Sequence, residues 1–356
     1  MLIVYASLYP FTGWRDQGIA PWAFVSSPWP KYWTAFDVVA NLLGYAPLGF
    51  LLALSFLRKG GKPAMPSNWS AITIATAAAG LLSFSMESLQ SYLPARVPSN
   101  VDFALNTLGA LAGAVSAGGL ELAGAIDRWS RFRLRWFVAE ARGALVLLAL
   151  WPFALLFPAS VPLGLGQVFE RLESALADWL LDTPFLEWLP VRDIELQPLM
   201  PGTEMLCVAF GALIPCLLGF SVIRSLGRRA VFAVIAVAVG ISATALSAAL
   251  SWGPGHAWAW LSQPVQLGLA VGLGLALASL PLPRRGCAAV LLLALVVHLS
   301  MLNQAPASAY FAQTLQTWEQ GRFIRFNGLV QWLGWLWPYA ALVYVLVRVS
   351  ARERQA

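Results

Sequence analysis

Long apolar blocks separated by short polar loops fill the chain, and their length predicts membrane-spanning helices rather than the core of a soluble domain. Ten spans are expected, at residues 1–10, 37–57, 69–87, 102–120, 143–163, 204–223, 230–250, 264–282, 287–301 and 329–347, the first of them short. The fold class is therefore all-α, a polytopic transmembrane helical bundle. Three loops carry patterns of their own. Residues 164–203 hold seven acids and place Val168, Leu172, Leu176 and Leu180 four apart, which predicts an amphipathic helix lying across a membrane surface or capping the bundle. Residues 305–329 predict a second short helix before Gly321. The run "DRWSRFRLRWFVAEAR" mixes arginine with tryptophan and phenylalanine, the composition of a helix that meets anionic headgroups of the inner leaflet along 128–142.

Charge orients the bundle. With the N-terminus in the cytoplasm, 16 of the 23 Lys and Arg residues fall in inner loops and seven in outer loops. Both termini are then cytoplasmic, and a bacterial inner membrane is the expected location. The chain divides into a four-span front part (1–120), a basic cytoplasmic segment (121–142) and a six-span back part (143–356) that includes the acidic outer segment.

Composition agrees. The chain is 59% hydrophobic and 11% charged, with a mean hydropathy of +0.68, whereas soluble domains carry about 25% charge. The net charge of +6 follows from the loop bias, so no nucleic-acid partner is expected. Cys207, Cys216 and Cys287 lie inside apolar runs and read as small buried hydrophobes. The start "MLIVYASLYPF" has no basic n-region and no clear cleavage site, so no cleavable signal is expected. His256 and His298 have no partner visible in the sequence, and no metal-ligand spacing, nucleophile elbow or phosphate loop occurs. Neither a metal nor a cofactor is expected.

The chemistry gathers in the front part. Asp37, Asn41, Glu87, Gln90, Arg96, Asp102 and Asn106 all fall at the outer ends of their spans. Asp37 and Asn41 are four apart, as are Asp102 and Asn106, and Glu87 and Gln90 are three apart, so each pair shares a helix face. "DVVANLLG" and "DFALNTLG" repeat D-x-x-x-N-x-L-G. Polar groups at that depth are expected to face the bundle. Asp37 and Asp102 also sit where carboxylates cap helix N-termini. Glu87 ends a span, where the dipole disfavours it, so it is expected to seek Arg96, with Asp102 as the rival partner. Gly109 and Gly113 form a small-residue face for close helix packing, and Pro47 is expected to kink the second span.

The text "FDVVANLLGYAPLGFLL" and "ESLQSYLPARVPSNVDFALNTLGALAG" resembles the VanZ-like family of membrane proteins. The matching positions are Asp37, Asn41, Pro47, Leu48 and Gly49, then Glu87, Gln90, Pro94, Arg96, Asp102, Asn106 and Gly109. The resemblance covers about residues 1–120 and implies work in the cell envelope, since one member is linked to resistance to the glycopeptide teicoplanin. It does not reach the six back spans.

Three readings stay open. In the first, the seven polar residues bind a membrane lipid or lipid-linked glycan precursor, with Arg96 on phosphate and the amides on sugar or headgroup hydroxyls. In the second, Glu87 and Asp102 are catalytic acid and base acting on such a lipid. In the third, the chain transports a small solute. The oligomeric state is not legible.

Overall fold

The computed structural model describes residues 2–9, 11–30, 34–59, 62–63, 68–157, 159–188, 197–306 and 324–350. Their secondary structure is helical apart from one two-residue antiparallel pair, Arg58–Lys59 with Lys62–Pro63, and an isolated bridge between Phe137 and Ile223. The helices are α1 (Leu2–Leu8), α2 (Ala35–Leu57), α3 (Asn68–Gln90), α4 (Asn100–Leu122), α5 (Ala125–Trp136), α6 (Arg142–Ala154), α7 (Phe169–Leu180), α8 (Pro201–Phe220), α9 (Leu226–Trp252), α10 (Gln263–Ala278), α11 (Arg284–Leu302) and α12 (Ile324–Ser350). The stretch 307–323, which contains most of the expected second outer helix, lies outside the described residues, as do Asp193 and Glu195.

Seven of these helices are long and apolar enough to cross a membrane. The other three expected spans come out shorter. At 1.5 Å per residue the seven residues of α1 reach about 10 Å, far less than the hydrocarbon thickness of about 30 Å. In the apolar stretch 143–163, α6 stops at Ala154 after 13 residues. Pro152 removes one backbone donor, and Pro158 and Pro162 forbid a regular continuation. α10 stops at Ala278 after 16 residues, ahead of Pro281 and Pro283.

The chain forms two compact units, Met1–Phe132 and Arg133–Ala356, so the boundary falls within α5. In the first unit α4 packs against α2 and α3. α2 starts with a capping box, in which Asp37 N donates to Thr34 Oγ1 (3.3 Å) and Thr34 N donates to Asp37 Oδ2 (2.9 Å). It then runs on through Pro47 without interruption. Gly49 faces Ala110, Gly109 faces Leu42 and Gly113 faces Ala46, and a Cβ on any of the three glycines would come closer than 3.0 Å to opposing backbone. The small-residue face of α4 is thus used against α2.

At the other end of the same helices Arg58 closes an ionic clasp. Its Nε and Nη2 donate to the two carboxylate oxygens of Glu121 (2.8 and 2.7 Å), and Nη1 meets Asp127 Oδ1 at 2.6 Å. The fork joins the ends of α2 and α4 to the first turn of α5. Hydrogen bonding to Arg58 holds the Asp127 carboxyl below its usual 3.8 and raises Arg58 further above its ordinary value. The Asp127 contribution is therefore present above the unfolded-state value and is lost as pH falls through the lowered folded-state value. Arg58→Gln should lower the melting temperature by a constant amount from neutral pH down to about 4. The difference from wild type should shrink below pH 3.8. Thermal unfolding of both proteins in detergent across that range checks this.

In the second unit α8 is almost wholly buried, from Cys207 to Phe220. Cys207, Cys216 and Cys287 are free and buried. Arg229 is 4% exposed and donates to the carbonyls of Leu280 (2.8 Å) and Leu282 (2.6 Å), just past the end of α10. The most irregular feature follows α6. Val161, Leu163 and Leu165 are buried on non-helical backbone, with Leu163 at φ +61° and Gly166 at φ +96°. The left-handed conformation costs a leucine about 1–2 kcal/mol. Packing holds it there, because the Leu163 side chain fits against Gly211 of α8 and Gly240 of α9.

Candidate functional site

Four of the seven polar residues meet in one layer at one end of the first unit. Asn41 Nδ2 donates to Asp102 Oδ1 at 2.8 Å. The amide of one D-x-x-x-N repeat thus engages the acid of the other. Asp102 N donates to Ser99 Oγ (3.3 Å), and Ser99 N donates to Glu87 Oε2 (2.8 Å). Ser99 is the N-cap of α4, so Glu87, in the last turn of α3, meets a backbone donor at the start of the next helix. One hydrogen-bonded chain therefore runs Asn41–Asp102–Ser99–Glu87. Deeper in the bundle Asn106 Nδ2 donates to Ser83 Oγ at 3.0 Å.

Helical spacing explains the convergence. Thr76, Gly80, Ser83, Glu87 and Gln90 follow one edge of α3 at intervals of four and three, Asp102 and Asn106 follow one edge of α4, and Asn41 and Tyr45 follow one edge of α2. Glu87 is 3% exposed, Asn106 5% and Tyr45 4%. Tyr45 lies beside Ser83 and Glu87. Tyr45, Ser83 and Ser99 were not among the residues singled out in the sequence, although Tyr45 stands four after Asn41 and Ser83 four before Glu87.

The other three residues do different work. Asp37 is exposed and forms the capping box with Thr34. Gln90 Nε2 donates to Ser7 O at 3.0 Å. Arg96 Nε and Nη2 donate to Tyr9 O (3.0 and 2.6 Å), and Nη2 also reaches Ala6 O at 3.5 Å. Gln90 and Arg96 thus dock the C-terminal carbonyls of α1, which its own backbone leaves unsatisfied. A guanidinium at a helix C-terminus also matches the sign of the dipole. Of the histidines, His298 is buried in α11 and His256 ends a short turn at Pro254–His256.

A lateral groove of about 740 Å³ opens between α3 and α4, with Thr76 and Gly80 on one wall and Thr107 and Leu111 on the other. Its lining is almost entirely apolar. Thr76 and Gly80, which line the groove, share an α3 edge with Ser83 and Glu87 of the polar layer. Phe84 and Phe103 pack together at 6.1 Å, with Phe24 5.5 Å from Phe84.

Residues 2–120 match the VanZ/LLP1 family model. The VanZ/LLP1 region takes in α1 through nearly all of α4, and with them all seven polar residues, the groove and the aromatic cluster. The resemblance seen in the front part of the sequence is to this family. No curated protein and no solved structure matches the chain.

Proposed function

We propose that the VanZ/LLP1 region holds a membrane amphiphile, with the polar group in the Glu87–Asp102–Asn106 layer and the apolar chain in the α3–α4 groove. The observation that carries this reading is the edge of α3 that the two share, with Thr76 and Gly80 lining the groove and Ser83 and Glu87 standing in the layer. A groove of this size lies within the usual range for ligand sites. Its position between two helices long enough to span a bilayer favours an occupant drawn from the bilayer itself. The excess of Lys and Arg in alternate loops supports a ten-segment topology with both termini cytoplasmic, and hence a polar layer at the outer face of a bacterial inner membrane.

On the cytoplasmic side, α5 fits the headgroups of anionic lipid. Trp129 and Phe132 stack at 5.6 Å and are exposed, with Arg133 four residues from Trp129 and Arg135 three from Phe132 on the same helix.

Filling the groove tests the reading. Ala77 lines it and is exposed, so Ala77→Trp should occupy the space without disturbing the helix contacts. In a polyoxyethylene detergent, native mass spectrometry should find bound bilayer lipid on the wild-type protein. That signal should fall at least about tenfold in Ala77→Trp, at an unchanged melting temperature. Equal lipid retention by the two proteins would refute the groove as the lipid site.

A further inference from the structure

Among the described residues, the buried polar groups without a hydrogen-bond partner of good geometry include Asn106 Oδ1 and the Tyr45 hydroxyl, and these two differ in kind. Asn106 has spent its amide N–H on Ser83, and its Oδ1 is buried without a donor. The Tyr45 hydroxyl, buried beside Ser83 and Glu87, has no partner of good geometry and meets Ser83 only loosely. Leaving such a group buried costs about 1–3 kcal/mol, and native proteins seldom do so without a reason. The penalty is no smaller inside a bilayer, where water is scarce. Both groups sit on the helix edges that form the layer, one on α4 and one on α2.

Resting on the reading of this layer as a headgroup site, we propose that it recognises a hydroxyl of the kind carried by a sugar or glycerol headgroup, and discriminates against a phosphate. The chemistry of the unmatched groups decides this. Asn106 Oδ1 can only accept, so the incoming group must donate. The phenol of Tyr45 can donate, so the incoming group is best served if it also accepts. A single hydroxyl oxygen does both. A phosphate oxygen only accepts and would face the Asn106 carbonyl oxygen with the Glu87 carboxyl close by. The cation that would have favoured phosphate, Arg96, directs its hydrogen bonds at Tyr9 and Ala6 of the α1 end. An ammonium could satisfy Asn106 but has no lone pair for the Tyr45 O–H.

The test compares lipids that share their acyl chains and differ only in headgroup. Glucosyl diacylglycerol and phosphatidic acid are titrated into the full-length protein in polyoxyethylene detergent, with native mass spectrometry as the readout. Phosphatidylethanolamine provides the ammonium arm. Wild type should bind the glucosyl lipid at least about tenfold more tightly than either other lipid. Tyr45→Phe removes one oxygen and keeps the ring, and Asn106→Leu keeps the branched shape. Each should erase most of that preference while leaving phosphatidic acid binding unchanged. Tighter binding of phosphatidic acid or phosphatidylethanolamine overturns the assignment. So does an unchanged preference in Tyr45→Phe, which would mean that the layer holds an ordered water only. If all three lipids bind equally and Ala77→Trp still displaces them, the groove survives and the hydroxyl assignment alone falls. If no lipid responds to Ala77→Trp, the groove reading fails first and the assignment with it.

Discussion

Gly113→Leu should prevent the first unit from reaching its folded state. Overpacking costs about 1–3 kcal/mol where neighbouring side chains can move aside. Here the obstacle is backbone. A Cβ at Gly113 would overlap the Ala46 carbonyl and lie 3.0 Å from Phe50 N, all on α2. The helices must separate to admit it, and separation also undoes the Gly49–Ala110 and Gly109–Leu42 notches along the same seam. A loss of about 4 kcal/mol or more is expected, in the range that reports a specific structural failure. Gly113→Ala should show a smaller loss of the same sign. Gly44 is the control, since it lies in α2 but a Cβ there meets nothing within 4 Å. Gly44→Ala should be neutral or gain about 0.5–1 kcal/mol from helix propensity. Yield of monodisperse protein and melting temperature in detergent measure all three. A Gly113→Leu protein that purifies and melts like wild type would show that α2 and α4 do not touch at this seam.

That seam illustrates what the sequence makes legible. Small residues at Gly109 and Gly113 announce a close helix contact, because only backbone approach needs them in a membrane. They do not announce the partner, which α2 supplies through Gly49, Leu42 and Ala46. The polar layer follows the same division. Helical spacing alone brings Asn41, Asp102 and Asn106 toward the bundle interior, but whether an amide meets an acid or a serine depends on the relative height of two helices, which no local pattern fixes. Hence Asn41 engages Asp102 across the repeat, and Asn106 engages Ser83.

Arg96 shows what a local pattern leaves out. The sequence offers it the carboxylates of Glu87 and Asp102, and the structure adds backbone acceptors at the end of α1. Once α1 ends at Leu8, its last carbonyls need donors, and Gln90 and Arg96 supply them. The break after α6 was hidden for a related reason. "WPFALLFPASVPLGLG" is apolar enough to pass for a helix, and hydropathy cannot separate a buried helix from buried irregular backbone. The three prolines and two glycines were the available signal. The groups that make such backbone tolerable lie more than 130 positions away in the sequence, as with Asn303 and Gly166.

Asn303→Leu should be the most damaging single change in the second unit, because irregular backbone inside a membrane protein survives only if its polar groups are matched. Asn303 matches four at once. Its Oδ1 accepts from Val168 N (3.0 Å) and Phe169 N (3.1 Å), which caps the start of α7. Its Nδ2 donates to Gly166 O (3.1 Å) and Leu299 O (2.9 Å). Tyr339 adds a second donor to Gly166 O at 3.1 Å, and Gly166 N is held by Gly334 O at 2.9 Å. Leucine keeps the branched shape with bulkier ends, while all four bonds disappear. At about 1–3 kcal/mol for each buried group left unmatched, a loss of about 3 kcal/mol or more is expected, since water can relieve only the most accessible of them. The neighbouring Gln304 is exposed, and Gln304→Ala should stay within about 0.5 kcal/mol of wild type. Tyr339→Phe should fall between the two, because Gly166 O keeps the Asn303 donor. Melting temperatures rank the three variants, and limited proteolysis between α6 and α7 locates the change. Asn303→Leu should open that segment to cleavage while the first unit stays resistant. An Asn303→Leu protein as stable and protease-resistant as wild type would mean that the Val161–Gly166 backbone is held by packing against Gly211 and Gly240 alone.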